Sequence, residues 1–117
     1  MSFPFSERGL NAISFHEATI VALQRNGSNI ELRLEGVSSA DGSRAATLVL
    51  ENIVHCEIDG VVGASPIMEA GDGEVLKLTV RDDGIAMLIE WNEWETKSHF
   101  VRSYDLQADA VHVTLAP

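Results

Sequence analysis

The chain has 117 residues, 45% of them hydrophobic, with 18 acids against 8 Lys and Arg and a formal net charge of −10. That size and apolar share suit one globular domain spanning residues 1–117, and the lack of any basic cluster excludes the counterion-release chemistry by which proteins gather nucleic acid. The lone cysteine, Cys56, rules out an internal disulfide, and no apolar run approaches the ~18 residues of a membrane span.

The first residues, "MSFPFSERGL", lack a basic stretch followed by an apolar one, so no secretory leader is read there and cytoplasmic residence is expected. Residues 1–12 read as an extended N-terminal arm. From "SFHEATIVALQR" the chain passes through "NGSN" into "IELRLEGV", where Ile30, Leu32 and Leu34 alternate with Glu31, Arg33 and Glu35. Period two marks a half-buried strand, and Asn26-Gly27 suits a type I′ turn, so these segments predict an antiparallel hairpin with Ile30, Leu32 and Leu34 inside.

"AATLVLENIVHCEI" continues the alternation, and "DGVVGASP" breaks it with two glycines and Pro66. "GDGEVL" opens like a dinucleotide loop, but Leu76 stands where a third glycine is needed and no helix follows, so a hairpin turn is the simpler reading. In "IAMLIEW", Ile85, Met87, Ile89 and Trp91 share one face and Ala86 and Leu88 the other, the pattern of a central strand. "SHFVRSYDLQ" and "AVHVTL" supply two more strands, the last with Val111, Val113 and Leu115 on one side. About seven strands with no 3.6-residue apolar period predict an all-β, antiparallel β-sandwich or strongly curved sheet. The edge strands of such an open sandwich can pair across a two-fold axis, so a homodimer is an expectation.

Catalytic motifs fail one by one. "HEATI" starts like a zinc-protease helix but has Ile20 where the second histidine belongs, and there is neither a Walker A loop nor a G-x-S-x-G elbow. His16, His55, His99 and His112 all fall in predicted strands. Adjacent strand residues such as His55 and Cys56 point to opposite faces and do not serve one ion, so no metal or cofactor is expected. Cys56 lies in an apolar strand without a neighbouring Lys or Arg, which reads as a buried, inert thiol.

The charge is lopsided. Residues 1–58 carry seven acids and four bases, and residues 59–117 carry eleven and four. Within the acidic half lies "EWNEWE". As a continuous strand it would turn Glu90, Asn92 and Trp94 to one face and Trp91, Glu93 and Glu95 to the other. Trp91 extends the apolar face of Met87 and Ile89 and belongs in the core, whereas Trp94 is the contact residue, since Trp is enriched at interface hot spots. Glu90, Glu93, Trp94 and Glu95 are therefore the candidate partner-binding residues, and a basic protein is the expected partner.

"SFHEATIVALQRNGSNIELRLEGV", "ATLVLENIVHCEIDG" and "SYDLQADAVHVTL" together resemble a loose group of small bacterial all-β proteins of unknown function, in which a step like His16-Glu17-Ala18 enters the first strand. Some members of such groups resemble immunity proteins that neutralise toxins delivered between bacteria. The charge asymmetry and the failed motifs make a non-catalytic, acidic protein-binding module the expectation; the resemblance implies an immunity-like inhibitor of a basic toxin, and it carries no catalytic residues. The alternative is a small ligand-binding barrel or enzyme built on convergent histidines and carboxylates.

Overall fold

The computed structural model describes residues 2–4, 13–39 and 42–116, and among these there is no helix. The strands are β1 (Ser2–Pro4), β2 (Ile13–Ser14), β3 (Thr19–Asn26), β4 (Asn29–Ser39), β5 (Gly42–Ile58), β6 (Val61–Val62), β7 (Asp72–Arg81), β8 (Gly84–Glu93) and β9 (Ser98–Leu115). All pairings are antiparallel, as the alternation predicts. The strongly curved sheet, and not the sandwich, is what forms, and it closes: β9, β8, β7, β3, β4 and β5 follow one another, and β5 pairs back onto β9, which makes a six-stranded barrel. Short β1, β2 and β6 attach outside this ring. Closure removes the long open edges on which the dimer expectation rested.

Two unusually long strands make closure possible. β5 pairs with β4 through its first part and with β9 from Ala46 to Ile58. On β5, Leu48 and Leu50 point inward before Asn52, Ile53 packs inward just after it, and the bulge at Val54 returns the inward positions to Cys56 and Ile58. On β9, Tyr104, Leu106 and Ala108 face the core, and past Asp109 the parity switches to Val111 and Val113. Asn52, at φ 55°, donates its side-chain amide to Asp109 at 2.6 Å. Both strands thus change parity at one rung and bend together around the barrel. The parity switch hides inside an unbroken strand, so "SHFVRSYDLQ" and "AVHVTL" are one element and not two.

The first hairpin forms where expected, with Ile30, Leu32 and Leu34 fully buried. Its turn is shifted by one residue: Asn26 pairs with Asn29, and Gly27-Ser28 form the loop with positive φ at Gly27 alone. That is the type II′ pattern, with glycine first. Positive φ at both loop positions, the type I′ pattern, occurs instead at Asp59-Gly60 between β5 and β6. "HEATI" opens with a turn at His16-Glu17, and its last two residues start β3; Glu17 is at φ 66° with its amide bonded to the Val75 carbonyl. "GDG" is no hairpin turn either, because Asp72 and Gly73 already belong to β7. Of the expected N-terminal arm, Ser2–Pro4 pairs with β9, and the rest lies outside the described residues.

The interior is apolar. Ile20, Leu32, Leu48, Ile85, Ile89, Trp91 and Val113 are among the side chains excluded from water, and no buried polar residue occurs among the described residues. At one end, the segment 63–71 folds over the core, with Pro66 buried and Ala64, Met68 and Ala70 packed inward. Cys56 donates its thiol proton to the Ala64 carbonyl beneath this cap, and Gly63 returns an amide to the Cys56 carbonyl.

Candidate functional site

β8 and β9 are joined by a four-residue loop, Trp94–Lys97, closed by the Glu93–Ser98 pair. The strand therefore stops before Trp94, and the continuous extension of "EWNEWE" is corrected. Glu93 and Glu95 do not project in parallel, because residues 94–97 turn and Lys97 takes a left-handed φ of 56°. The two tryptophans fare as read. Trp91 is fully buried and donates its indole N–H to the Tyr104 hydroxyl at 2.8 Å. Trp94 stands 69% exposed, its indole N–H reaching Asp72 Oδ2 at 3.3 Å.

Around Trp94 the acids gather from three elements. Asp72 pairs with Asn92 across β7–β8, and two rungs away Glu74 lies directly opposite Glu90. Gly73, Val75, Ile89 and Trp91 take the inward positions, so Glu74 and Glu90 share the outer face. Like charges facing each other across a ladder are destabilising. His99 Nδ1, 3.7 Å from Glu90, offsets part of this when protonated. Glu93 and Glu95 add to the loop, where Lys97 is the one lysine. The structure thus brings Glu90, Glu93, Trp94 and Glu95 to one end of the barrel. Asp72 and Glu74 join them from β7, which sequence reasoning missed because only strand pairing shows what lies opposite Asn92 and Glu90.

Below this tip, the outer face of β7, β8 and β9 sinks into an open saddle of about 340 Å³. Ala86 and Leu88 form its floor with Thr79 and Ser103 beside them, since small residues opposite Ala86 and Leu88 leave the surface low. Lys77 stands on one wall and Glu57 and Asp105 on the other. Both acids have neighbours: Asp105 meets Arg81 at 3.3 Å, and Glu57 meets His55 at 3.8 Å.

The histidines do not converge. His16 lies in a turn rather than a strand and donates to the Leu76 carbonyl, while His55, His99 and His112 stand at separate places along β5 and β9, each beside its own glutamate. Among the described residues no group of His, Cys, Asp and Glu is placed to hold a metal. Burial pushes the Cys56 thiol pKa up, with Arg25 pulling weakly the other way, and Tyr104 is pushed up to about 12 mainly by burial. Asp59 differs: the Ser103 amide and then the Arg102 guanidinium hold its carboxyl below the usual range. Arg102 also grips Glu69 at 2.8 Å and lies over the Phe100 ring, so it ties the capping segment to β9.

No family model matches this chain. Neither a curated protein nor a solved structure matches it significantly. No helix among the described residues is long and apolar enough to cross a membrane. The tip presents an exposed indole with carboxylates from β7, β8 and the connecting loop near it.

Proposed function

We propose that the protein is a non-catalytic binding module that engages a basic protein through the β8–β9 tip, in the manner of an immunity-like inhibitor covering a cationic toxin surface. The observation that carries this reading is Trp94, exposed yet oriented by Asp72, with Glu74, Glu90, Glu93 and Glu95 around it. A tethered indole offers a large contact area at little entropic cost, and the surrounding carboxylates steer a cationic partner toward it. The alternative reading, a pocket built from convergent histidines, finds no support in four histidines standing apart.

The test begins with capture of a partner by the immobilised chain at low salt, followed by binding kinetics at two ionic strengths. Trp94→Ala is expected to cost about 2 kcal/mol of affinity, mostly as faster dissociation. Glu93→Gln with Glu95→Gln should instead slow association and flatten its salt dependence. A captured complex indifferent to all three substitutions and to salt would overturn the proposal.

A further inference from the structure

Building on that reading, we infer that the partner surface runs from Trp94 down the outer face of β8 into the Leu88 saddle, and that the element it receives is a basic amphipathic helix. Ala86, Leu88, Glu90 and Asn92 follow one another on this face. The face therefore passes from an apolar floor to an acidic rung and then to the indole. Val101 lies opposite Glu90 and Ser103 opposite Leu88, which widens the apolar floor on the β9 side. Leu88 and Val101 are both exposed, at 38% and 47%.

Three features select the occupant. β8 is paired along its whole length with β7 on one side and β9 on the other, so the saddle offers no free backbone edge and strand addition is closed to it. Binding there is by side chains packed on a sheet face, which a helix supplies. The spacing also fits: at ~3.3 Å per residue β8 runs about 23 Å from Ala86 to its end at Glu93, and a helix of about 18 residues, ~27 Å long, covers that stretch and reaches the Trp94 loop. Leu88 and Glu90 are ~6.6 Å apart, close to the ~6 Å rise between helix positions i and i+4. Charge excludes a second copy of this chain, which would bring its own excess of acids to the opposed Glu74–Glu90 pair. A lysine or arginine placed over that pair relieves the like-charge contact. Lys77 on the saddle wall requires that the helix turn apolar residues, not bases, toward Leu88.

The probe is a synthetic helix of Leu, Ala and Lys, about 18 residues long, whose contact face carries Leu along the half that meets the saddle and Lys along the half that meets Glu74 and Glu90. It is titrated into the isotopically labelled full chain while backbone amide shifts are followed. Shifts at Thr79, Leu88, Val101 and Ser103 together with residues 90–97 are expected, and Leu88→Lys, at an exposed position, should weaken binding roughly tenfold, the size of losing one apolar anchor. The same peptide with Leu replaced by Ser should keep the shifts at 90–97 and lose those in the saddle. Shifts confined to 90–97 with the original peptide, and insensitivity to Leu88→Lys, would overturn the saddle while leaving the Trp94 tip in place. Shifts spread over both sides of the barrel, or no binding at millimolar peptide, would overturn the inference, and loss of the Trp94→Ala effect on a captured partner is what would separately overturn the tip.

Discussion

The barrel is closed by two very unequal seams. Between β5 and β9 the pairing runs from Ala46–Leu115 to Ile58–Tyr104, whereas β3 meets β7 only at Thr19–Glu74 and Ile20–Gly73. The long seam is secured by backbone ladder and core contacts along its whole length. The short one depends on particular residues: Val75 exchanges backbone bonds with Glu17 and Ala18, and Gly73 lets the Trp91 ring lie against the strand. A closed barrel can thus be robust along one line and locally specified along another.

The largest expected effect lies beside the broad seam, where β8 packs its first residue against β9. A Cβ at Gly84 would stand 2.1 Å from the Leu106 carbonyl oxygen, a clash with backbone that no side-chain rotation relieves. Gly84→Ala should cost about 4 kcal/mol, visible as a large drop in the urea midpoint. On the thin side, a Cβ at Gly73 would come within 2.8 Å of Ile89 and 2.9 Å of the Trp91 ring, which are side chains rather than backbone and a longer approach than at Gly84. Gly73→Ala should therefore cost less, about 2 kcal/mol. A larger loss for Gly73→Ala than for Gly84→Ala would invert the comparison.

Tyr104 closes the long seam at its lower end and accepts the Trp91 indole proton. Tyr104→Phe leaves that buried donor without its partner, and about 1–2 kcal/mol should be lost in the same unfolding assay. The phenol also makes stability pH-dependent. Its folded pKa is raised from 10 to about 12, so the protonated folded state is favoured and its contribution is full below pH 10. Between pH 10 and 12 the unfolded chain releases the proton first and stability falls, a slope that Tyr104→Phe should remove. Least of all, Trp94→Ala should shift stability by no more than about 0.5 kcal/mol, since its ring lies outside the core.

The sequence disclosed strands more readily than closure. Alternation in Ile30–Leu34 and Ile85–Trp91 reports local geometry directly, and both stretches face the core as read. Nothing local says that Ala46 pairs with Leu115, and the Asn52–Asp109 rung reverses parity inside two strands, which makes one strand look like two. The turn at Gly27-Ser28 slipped by a residue because Asn-Gly satisfies either neighbouring register, and the strand pairing decides between them. At the tip, Glu90, Glu93, Trp94 and Glu95 were legible as a linear cluster. Asp72 and Glu74 were not, since their proximity is a property of register alone. Cys56 was read correctly as buried, although the Ala64 carbonyl that receives its proton lies on a segment that seemed only to interrupt the strands.

The β5–β9 seam also sets an order of events. β3, β4 and β5 form a meander of neighbours, as do β7, β8 and β9, so each three-stranded unit can assemble from short loops. The long seam joins the first unit to the second and must wait until both are present, because half of each interface comes from the other unit. Chain-closure entropy is met before those contacts reward it, which places folding among the millisecond-to-second β proteins and leaves the edges of β5 and β9 exposed in the interval. On a ribosome, the emerging chain would hold a finished meander with one raw edge until Leu115 clears the exit, and that edge is where association between nascent chains would start.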